Sequence, residues 1–170
     1  MSLDRYIAAR SIDSRRSSQI LTVADEFITN AFYHAPIDGA GGHPCSHMSR
    51  MDPVQCHPDY PIELSYSGDG HRIAVAVRDL YGSLEPREVR THLARVVATP
   101  TASFKVSSNA GGAGLGLINA VRGTSQLIFN IAPHQRTECI GVIETDGNYR
   151  RFLEVGRALH LFSLTAPART

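Results

Sequence analysis

The chain lacks most of the features that assign a protein to a class at once. No apolar run approaches the roughly 20 residues that a membrane-spanning helix needs, and the first 18 residues contain no apolar block typical of a signal peptide. Lys and Arg number 17 against 16 Asp and Glu, without blocks of like charge, so no nucleic-acid footprint or basic membrane patch is visible. We therefore expect a cytoplasmic protein that binds neither nucleic acid nor membrane.

The chain also lacks a disulfide framework and internal repeats. Its three cysteines, Cys45, Cys56 and Cys139, are an odd number at irregular spacing, which indicates reduced thiols. A chain of 170 residues with 42% apolar content is long enough to bury a core, and this length predicts one domain. We assign residues 17–165 to that domain and residues 1–16 to an N-terminal extension.

Hydrophobic spacing predicts the elements of the domain. Ile20, Ala24 and Ile28 fall on one arc at about 100° per residue, which is typical of a helix, whereas alternation of apolar and polar residues predicts two antiparallel hairpins. The predicted order is helix 17–35, loop 37–61, hairpin 61–67 and 71–79, helix 84–99, lid 99–112, helix 113–122, hairpin 125–133 and 137–145, helix 149–155 and strand 157–164. This order predicts a two-layer α+β sandwich rather than a run of βαβ units.

The stretch "AGGAGLGLINAV", residues 110–121, places four glycines within six positions. A dinucleotide-binding fingerprint would follow directly on a strand, but polar residues precede this one. A phosphate-binding P-loop needs Lys and then Ser or Thr after the last glycine, where this chain has Leu117 and Ile118. The remaining interpretation is a glycine-rich segment whose backbone N–H groups and helix amino terminus face phosphates.

Three segments in order, "ADEFITNAFYHA", "VAVRDLYGSL" and "GGAGLGL", resemble the N, G1 and G2 boxes of the GHKL superfamily of ATPases. This superfamily includes sensor histidine kinases, anti-sigma factor serine kinases, type II topoisomerases and mismatch-repair ATPases. The resemblance implies the Bergerat ATP-binding fold, a mixed and mostly antiparallel sheet covered by helices on one face. It also implies ATP and Mg²⁺ as cofactors.

In the segment that resembles the N box, the resemblance implies that Asn30 ligates Mg²⁺ and that Glu26 orients or deprotonates the attacking water or hydroxyl. One turn of helix separates the two, so both point the same way, and Mg²⁺ prefers oxygen ligands. An ordinary amphipathic helix is the alternative. His34 either contacts phosphate or caps the end of the helix through its dipole.

In the segment that resembles the G1 box, the resemblance implies that Asp79 accepts a hydrogen bond from the adenine amino group. The usual pattern is DxGxG, whereas Tyr81 and Ser83 stand at the glycine positions here, and Gly82 lies between them. The alternative is an Asp that closes a strand before a turn. Thr137 is a further candidate near the adenine, with strand propensity as its alternative explanation.

The G2 resemblance implies that backbone amides of the glycine segment bind the triphosphate as the lid closes. The residues carried over to this role are Gly112, Gly114, Leu115 and Gly116, with Lys105, Ser107, Ser108 and Asn109 as candidate phosphate contacts in the lid.

The loop 37–61 carries residue types that bind zinc: His43, Cys45, His47, Cys56 and His57. Their spacing matches no standard zinc motif, so a solvated or partner-facing loop is favoured.

Two functions follow as hypotheses. The first is a Mg-ATP-dependent protein kinase domain of the histidine-kinase or anti-sigma-factor type, in which Glu26 activates a hydroxyl of a protein substrate. The second is a catalytically inactive module that binds a regulatory partner when nucleotide is bound. A homodimer is an option under either hypothesis, and free-standing ATP hydrolysis is the least favoured.

Overall fold

Five strands and four helices make up the described part of the chain. The computed structural model describes residues 1–49, 52–55, 57–98, 115–146 and 156–164. The elements are α1 (Leu3–Ala8), α2 (Ser14–Tyr33), β1 (Glu63–Gly68), β2 (Arg72–Asp79), α3 (Pro86–Ala98), α4 (Leu115–Gly123), β3 (Gln126–Ala132), β4 (Arg136–Glu144) and β5 (Ala158–Ser163).

The strands form one mixed sheet in the order β1-β2-β4-β3-β5. The first three pairings are antiparallel and β5 runs parallel to β3. Alternate residues of β2 and β3 are buried in one hydrophobic core with α2: Ile73, Val75, Val77, Leu127, Phe129 and Ile131. The prediction of an α+β protein with a mixed, mostly antiparallel sheet and helices packed on it is therefore confirmed at this level.

The helix α2 crosses the sheet and carries the candidate N box. Asp13 caps it, because its side chain accepts hydrogen bonds from the amides of Arg15 and Arg16 at 2.9 and 3.1 Å. The helix therefore begins at Ser14, before the first residue that the hydrophobic pattern predicts. Its other end lies at Tyr33, with His34 as the C-cap.

The segment 1–16, which we set apart as an extension, contributes to the core of the sheet domain. Leu3, Tyr6 and Ile7 of α1 are buried in the same hydrophobic cluster as α2 and the sheet. The ring of Tyr6 meets that of Tyr66 edge-on at 4.9 Å between centroids. Arg16 is 1% exposed and donates hydrogen bonds to the backbone carbonyls of Glu144, the last residue of β4, and of Asp146, two residues beyond it.

Replacing Ile7 by alanine should therefore lower the free energy of unfolding by about 3 kcal/mol, since it removes a buried side chain and leaves a cavity. The matched control is Asp4→Ala on the exposed side of the same helix, which should change stability by less than about 0.5 kcal/mol. Urea unfolding of both variants provides the measurement. Equal and small effects would mean that α1 is not part of the folding unit.

Several predicted elements fall beyond the described ranges. The lid 99–112, the first residues of helix 113–122 and the helix 149–155 lie outside the described residues. None of the helices within the described ranges is long and apolar enough to cross a membrane.

Candidate functional site

A cavity of about 270 Å³ lies where helices α2, α3 and α4 meet the buried face of β2, β3 and β4. It brings together four residues that the sequence resemblance selected: Asn30, His34, Asp79 and Thr137. Phe129 of β3 and Val77 of β2 supply apolar wall between them. The cavity thus combines an apolar lining with a few polar groups, which is the usual composition of a small-molecule site.

Asp79 ends β2 as a buried acceptor in the cavity wall, with 6% of its surface exposed. Its Oδ1 accepts hydrogen bonds from the amides of Tyr81 at 2.9 Å and Gly82 at 3.1 Å, while Oδ2 accepts neither of these turn bonds. Burial raises the pKa of the Asp79 carboxyl above its ordinary value, and the amides of Gly82, Tyr81 and Thr137 oppose that shift. The fold therefore holds a partly desolvated carboxylate oxygen next to the cavity.

Thr137 lies directly opposite Asp79 in the β2–β4 register. It is 3% exposed, and its hydroxyl has no hydrogen-bond partner among the described residues. A buried polar atom without a partner costs roughly 1–3 kcal/mol. A ligand that hydrogen-bonds to this hydroxyl would recover that cost, so the pair forms a small polar platform for a ligand edge.

Gly82 sets the shape of the turn that follows Asp79. Its φ is +59°, and a Cβ there would lie 2.5 Å from the Ala132 carbonyl oxygen and 2.5 Å from the Gln135 nitrogen. Its own carbonyl accepts a hydrogen bond from the His134 amide at 3.0 Å. The turn therefore requires a glycine at position 82, one residue after the position of the first glycine in the usual DxGxG pattern. The contacts of Gly82 also hold this turn against the turn between β3 and β4.

Tyr81, which stands where that glycine was expected, instead stacks on Tyr60 with ring centroids 4.9 Å apart. These two rings, with His57, His134 and Leu80, line a second cavity of about 370 Å³. Among the described residues that line this second cavity, none has a carboxylate or amide side chain. Sequence reasoning missed Tyr60, because nothing in the loop pattern distinguishes it from its neighbours.

The two polar residues of the candidate N box face different neighbours. Asn30 lines the cavity, but Glu26 is not among the described residues that line it. The Glu26 carboxylate is 6% exposed, and its Oε1 accepts a hydrogen bond from Asn119 Nδ2 at 3.1 Å. A Cβ on Gly116 would lie 2.3 Å from Glu26 Oε2, so the first turn of α4 closes directly over this carboxylate.

Asn119 is a residue that sequence reasoning missed. Asn119 lies three residues after Gly116, one turn into α4, whereas the glycine pattern predicts contacts only for residues that precede it. Its contact with Glu26 joins residues 93 positions apart in the chain.

The remaining predicted residues lie at the edge of the described ranges or outside them. Lys105, Gly112 and Gly114 are outside the described residues, as are the lid residues Ser107, Ser108 and Asn109. Leu115 is the first residue of α4. Within the described ranges, no group of three or more His, Cys, Asp or Glu side chains could hold a metal ion, and Cys56 lies outside them.

Cys139 lines the cavity beside the polar pair. Burial raises the pKa of its thiol, and the negative charges of Asp79 and Glu138 raise it further. Both effects disfavour the thiolate, which is the reactive form of cysteine.

Comparison of the chain with protein-family models, with curated proteins and with solved structures finds no match.

Proposed function

We propose that this chain is a Mg-ATP-binding domain of the GHKL type, with the sheet and helices arranged as a Bergerat fold. The observation that carries the proposal is the polar pair in the cavity wall. Asp79 supplies a buried acceptor, and Thr137, opposite it, supplies a buried hydroxyl without a partner among the described residues. Both were selected from the sequence for contact with adenine, and they lie side by side although 58 positions separate them in the chain.

Adenine fits this pair through its amino-group edge. The exocyclic amino group would donate a hydrogen bond to the Asp79 carboxylate, and a ring nitrogen would accept one from the Thr137 hydroxyl. Guanine presents a carbonyl oxygen in place of the amino group, so the carboxylate would face another acceptor and repel it. In this orientation the pair therefore favours adenine over guanine nucleotides.

Asn30 fits the role of magnesium ligand on this cavity wall. Mg²⁺ keeps several waters and takes one or two protein oxygens beside the phosphate oxygens of a nucleotide, so a cluster of acidic side chains is not needed. The Asn30 amide lines the same cavity as Asp79 and provides one such oxygen. When bound, the ion would neutralise charge on the phosphates.

The proposed activity is phosphoryl transfer to a hydroxyl of a partner protein in the cytoplasm. The hydroxyl oxygen attacks the γ-phosphorus, the bond from that phosphorus to the bridging oxygen breaks, and ADP leaves with the bonding electrons. Glu26 takes the proton of the hydroxyl. In the structure its carboxylate is hydrogen-bonded to Asn119, so this role requires that the first turn of α4 moves as the site fills.

A catalytically inactive, nucleotide-dependent interaction module is the second candidate. The same contact of Glu26 favours this candidate. The Glu26 carboxylate accepts a hydrogen bond from Asn119, Gly116 packs over it, and Glu26 is not among the described residues that line the cavity. In this arrangement Glu26 serves to position α4. In this case ATP would order a partner-binding surface without turnover.

One experiment separates the candidates: ATP binding by calorimetry with and without Mg²⁺, followed by ADP formation from Mg-ATP with hydroxyl-bearing peptides as phosphate acceptors. Glu26→Gln keeps an acceptor for Asn119 but removes the base. If Glu26 is catalytic, this variant should bind ATP like the wild type and form ADP about 100-fold more slowly.

The matched control is Asp25→Asn, the neighbouring acid on the exposed side of α2, which should change neither quantity. ATP binding with no turnover in the wild type or in Glu26→Gln would support the interaction module and contradict the kinase. A wild type that binds no ATP would contradict both candidates.

A further inference from the structure

Helix α4 lies against α2 in a register that two of its glycines define. A Cβ on Gly116 would lie 2.3 Å from Glu26 Oε2. A Cβ on Gly123, the last residue of α4, would lie 2.7 Å from Val23 Cγ2, and the Gly123 carbonyl accepts a hydrogen bond from Gln19 Nε2 at 2.6 Å. The later residue of α4 thus meets the earlier residues of α2. The two helices therefore run in opposite directions, and the first turn of α4 meets Glu26.

The two oxygens of the Glu26 carboxylate have different neighbours on α4. Oε1 accepts a hydrogen bond from Asn119 Nδ2 at 3.1 Å. Oε2 lies nearer to Gly116, since a Cβ there would be 2.3 Å from Oε2 and 3.9 Å from Oε1. A general base needs only one oxygen to receive the proton, so a donor can hold the other oxygen and fix the orientation of the carboxylate. Asn119 makes the contact that orients the group, and Gly116 covers the remaining oxygen.

The surroundings of Asn119 differ from those of a residue that packs the core. Asn119 is exposed, whereas Gly116 on the same helix is buried and Glu26 is 6% exposed. Its amide is a neutral donor, so it holds the carboxylate while opposing the uptake of a proton less than a neighbouring cation would. Replacement of this exposed side chain should therefore affect the orientation of Glu26 more than the stability of the fold.

We propose that Asn119 is a positioning residue for Glu26 in the phosphoryl transfer. Its amide holds Oε1, so Oε2 takes the proton as the O–H bond of the substrate hydroxyl breaks. The hydroxyl oxygen bonds to the γ-phosphorus, the bond from that phosphorus to the bridging oxygen breaks, and ADP leaves with the bonding electrons. The proposal rests on the proposed function, in which Glu26 is the base. It also defines the movement that this function requires: the turn at Gly116 uncovers Oε2, while Asn119, one turn further along α4, keeps its contact.

The test measures kcat and KM for ATP separately, from ADP formation with hydroxyl-bearing peptides as phosphate acceptors. Asn119→Ala removes the donor, and Asn119→Asp keeps the shape of the side chain but offers only acceptors when ionised. Both variants should lower kcat by about tenfold, because a misoriented base reacts slowly, and should change KM for ATP by less than about twofold. The matched control is Gln19→Ala, which removes a different hydrogen bond between α2 and α4 and should leave kcat unchanged.

A double-variant comparison separates positioning of Glu26 from docking of the helix. If Asn119 acts through Glu26, Asn119→Ala should cause no further loss of kcat in a protein that already carries Glu26→Gln. A role in docking α4 would instead add its full loss in that background, and Gln19→Ala would lower kcat as Asn119→Ala does. Either of these two results would overturn the proposal, as would Asn119 variants with the kcat of the wild type.

NMR follows the contact itself without turnover. Mg-ATP should shift the backbone amide signal of Gly116 and leave the side-chain amide signals of Asn119 in place, whereas Glu26→Ala should move the Asn119 signals. If Mg-ATP moves the Asn119 signals to their positions in Glu26→Ala, the contact breaks as the site fills, and the proposal is overturned while ATP binding stands. A wild type that binds no ATP, or binds it and forms no ADP, would instead overturn the proposed kinase together with this proposal.

Discussion

Replacing Asp79 by asparagine should reduce ATP affinity by about 1000-fold while leaving the protein at least as stable at pH 7. The asparagine Oδ1 can still accept the turn bonds from Tyr81 and Gly82. The asparagine Nδ2 would then occupy the position of Oδ2. Its N–H groups would face the N–H groups of the adenine amino group, and no hydrogen bond could form between them. Loss of a charged hydrogen bond and an unpaired buried donor together cost roughly 4 kcal/mol, which is about 1000-fold.

The stability side of this prediction follows from the raised pKa of Asp79. Because burial raises the pKa in the folded state, the folded protein holds the proton more tightly than the unfolded chain. The stability from this group is therefore complete below the unfolded pKa of about 3.9 and is lost as the pH rises through the folded pKa. Asparagine stays neutral at every pH. The stability of the Asp79→Asn variant relative to the wild type should therefore increase as the pH rises from the unfolded pKa to the folded pKa, and then level off.

The measurements are calorimetric ATP binding at pH 7 and urea unfolding between pH 3 and pH 7. Asp59→Asn is the matched control, since that side chain is 82% exposed and does not line the cavity. A variant at Asp79 that keeps wild-type ATP affinity would contradict the assignment of the adenine site. A variant that loses stability at pH 7 would contradict the account of its burial.

Replacing Gly82 by alanine should lower the free energy of unfolding by about 4 kcal/mol. A left-handed φ strains any residue with a Cβ by roughly 1–2 kcal/mol. The added Cβ would also meet backbone atoms of Ala132, Gln135 and Arg136 at 2.5–2.6 Å, and backbone cannot turn aside as a long side chain can. Both effects fall on the turn that positions the Asp79 carboxylate.

Two other glycines separate the causes. Gly70 has a φ of +96°, and a Cβ added there would meet nothing within 4 Å. The loss of stability in Gly70→Ala should therefore report the backbone strain alone. Gly39→Ala has neither strain nor close neighbours and should be near neutral. Urea midpoints of the three variants give the comparison, and a Gly82→Ala protein no less stable than Gly70→Ala would show that the approach of the two turns is looser than described.

Short-range pattern was enough to predict much of the fold. The 3.6-residue spacing of Ile20, Ala24 and Ile28 and the alternation in β2 and β4 are local properties, since each is set by the geometry of a few successive residues. The coarse α+β sheet followed from their order. The helix boundary at Ser14 was missed because a capping side chain at Asp13, and not the apolar spacing, decides where α2 begins.

The candidate site was only partly accessible from the sequence. The resemblance selected Asn30, Asp79 and Thr137, and all three line one cavity. It also selected Glu26, but in the structure the Glu26 carboxylate is hydrogen-bonded to Asn119 and is not among the described residues that line the cavity. Contacts of this kind join residues far apart in the chain, and no local pattern records which side chain will meet which.

By itself, the sequence determined the helices α2, α3 and α4 and the five strands, the alternation that buries one face of the sheet, and the residue types available for binding. The tertiary structure decided the pairing of β2 with β4, which brings Asp79 opposite Thr137. It also decided that α1 belongs to the core. The physical reason is that backbone conformation is chosen within a few residues, whereas packing is chosen among all surfaces that the folded chain brings together.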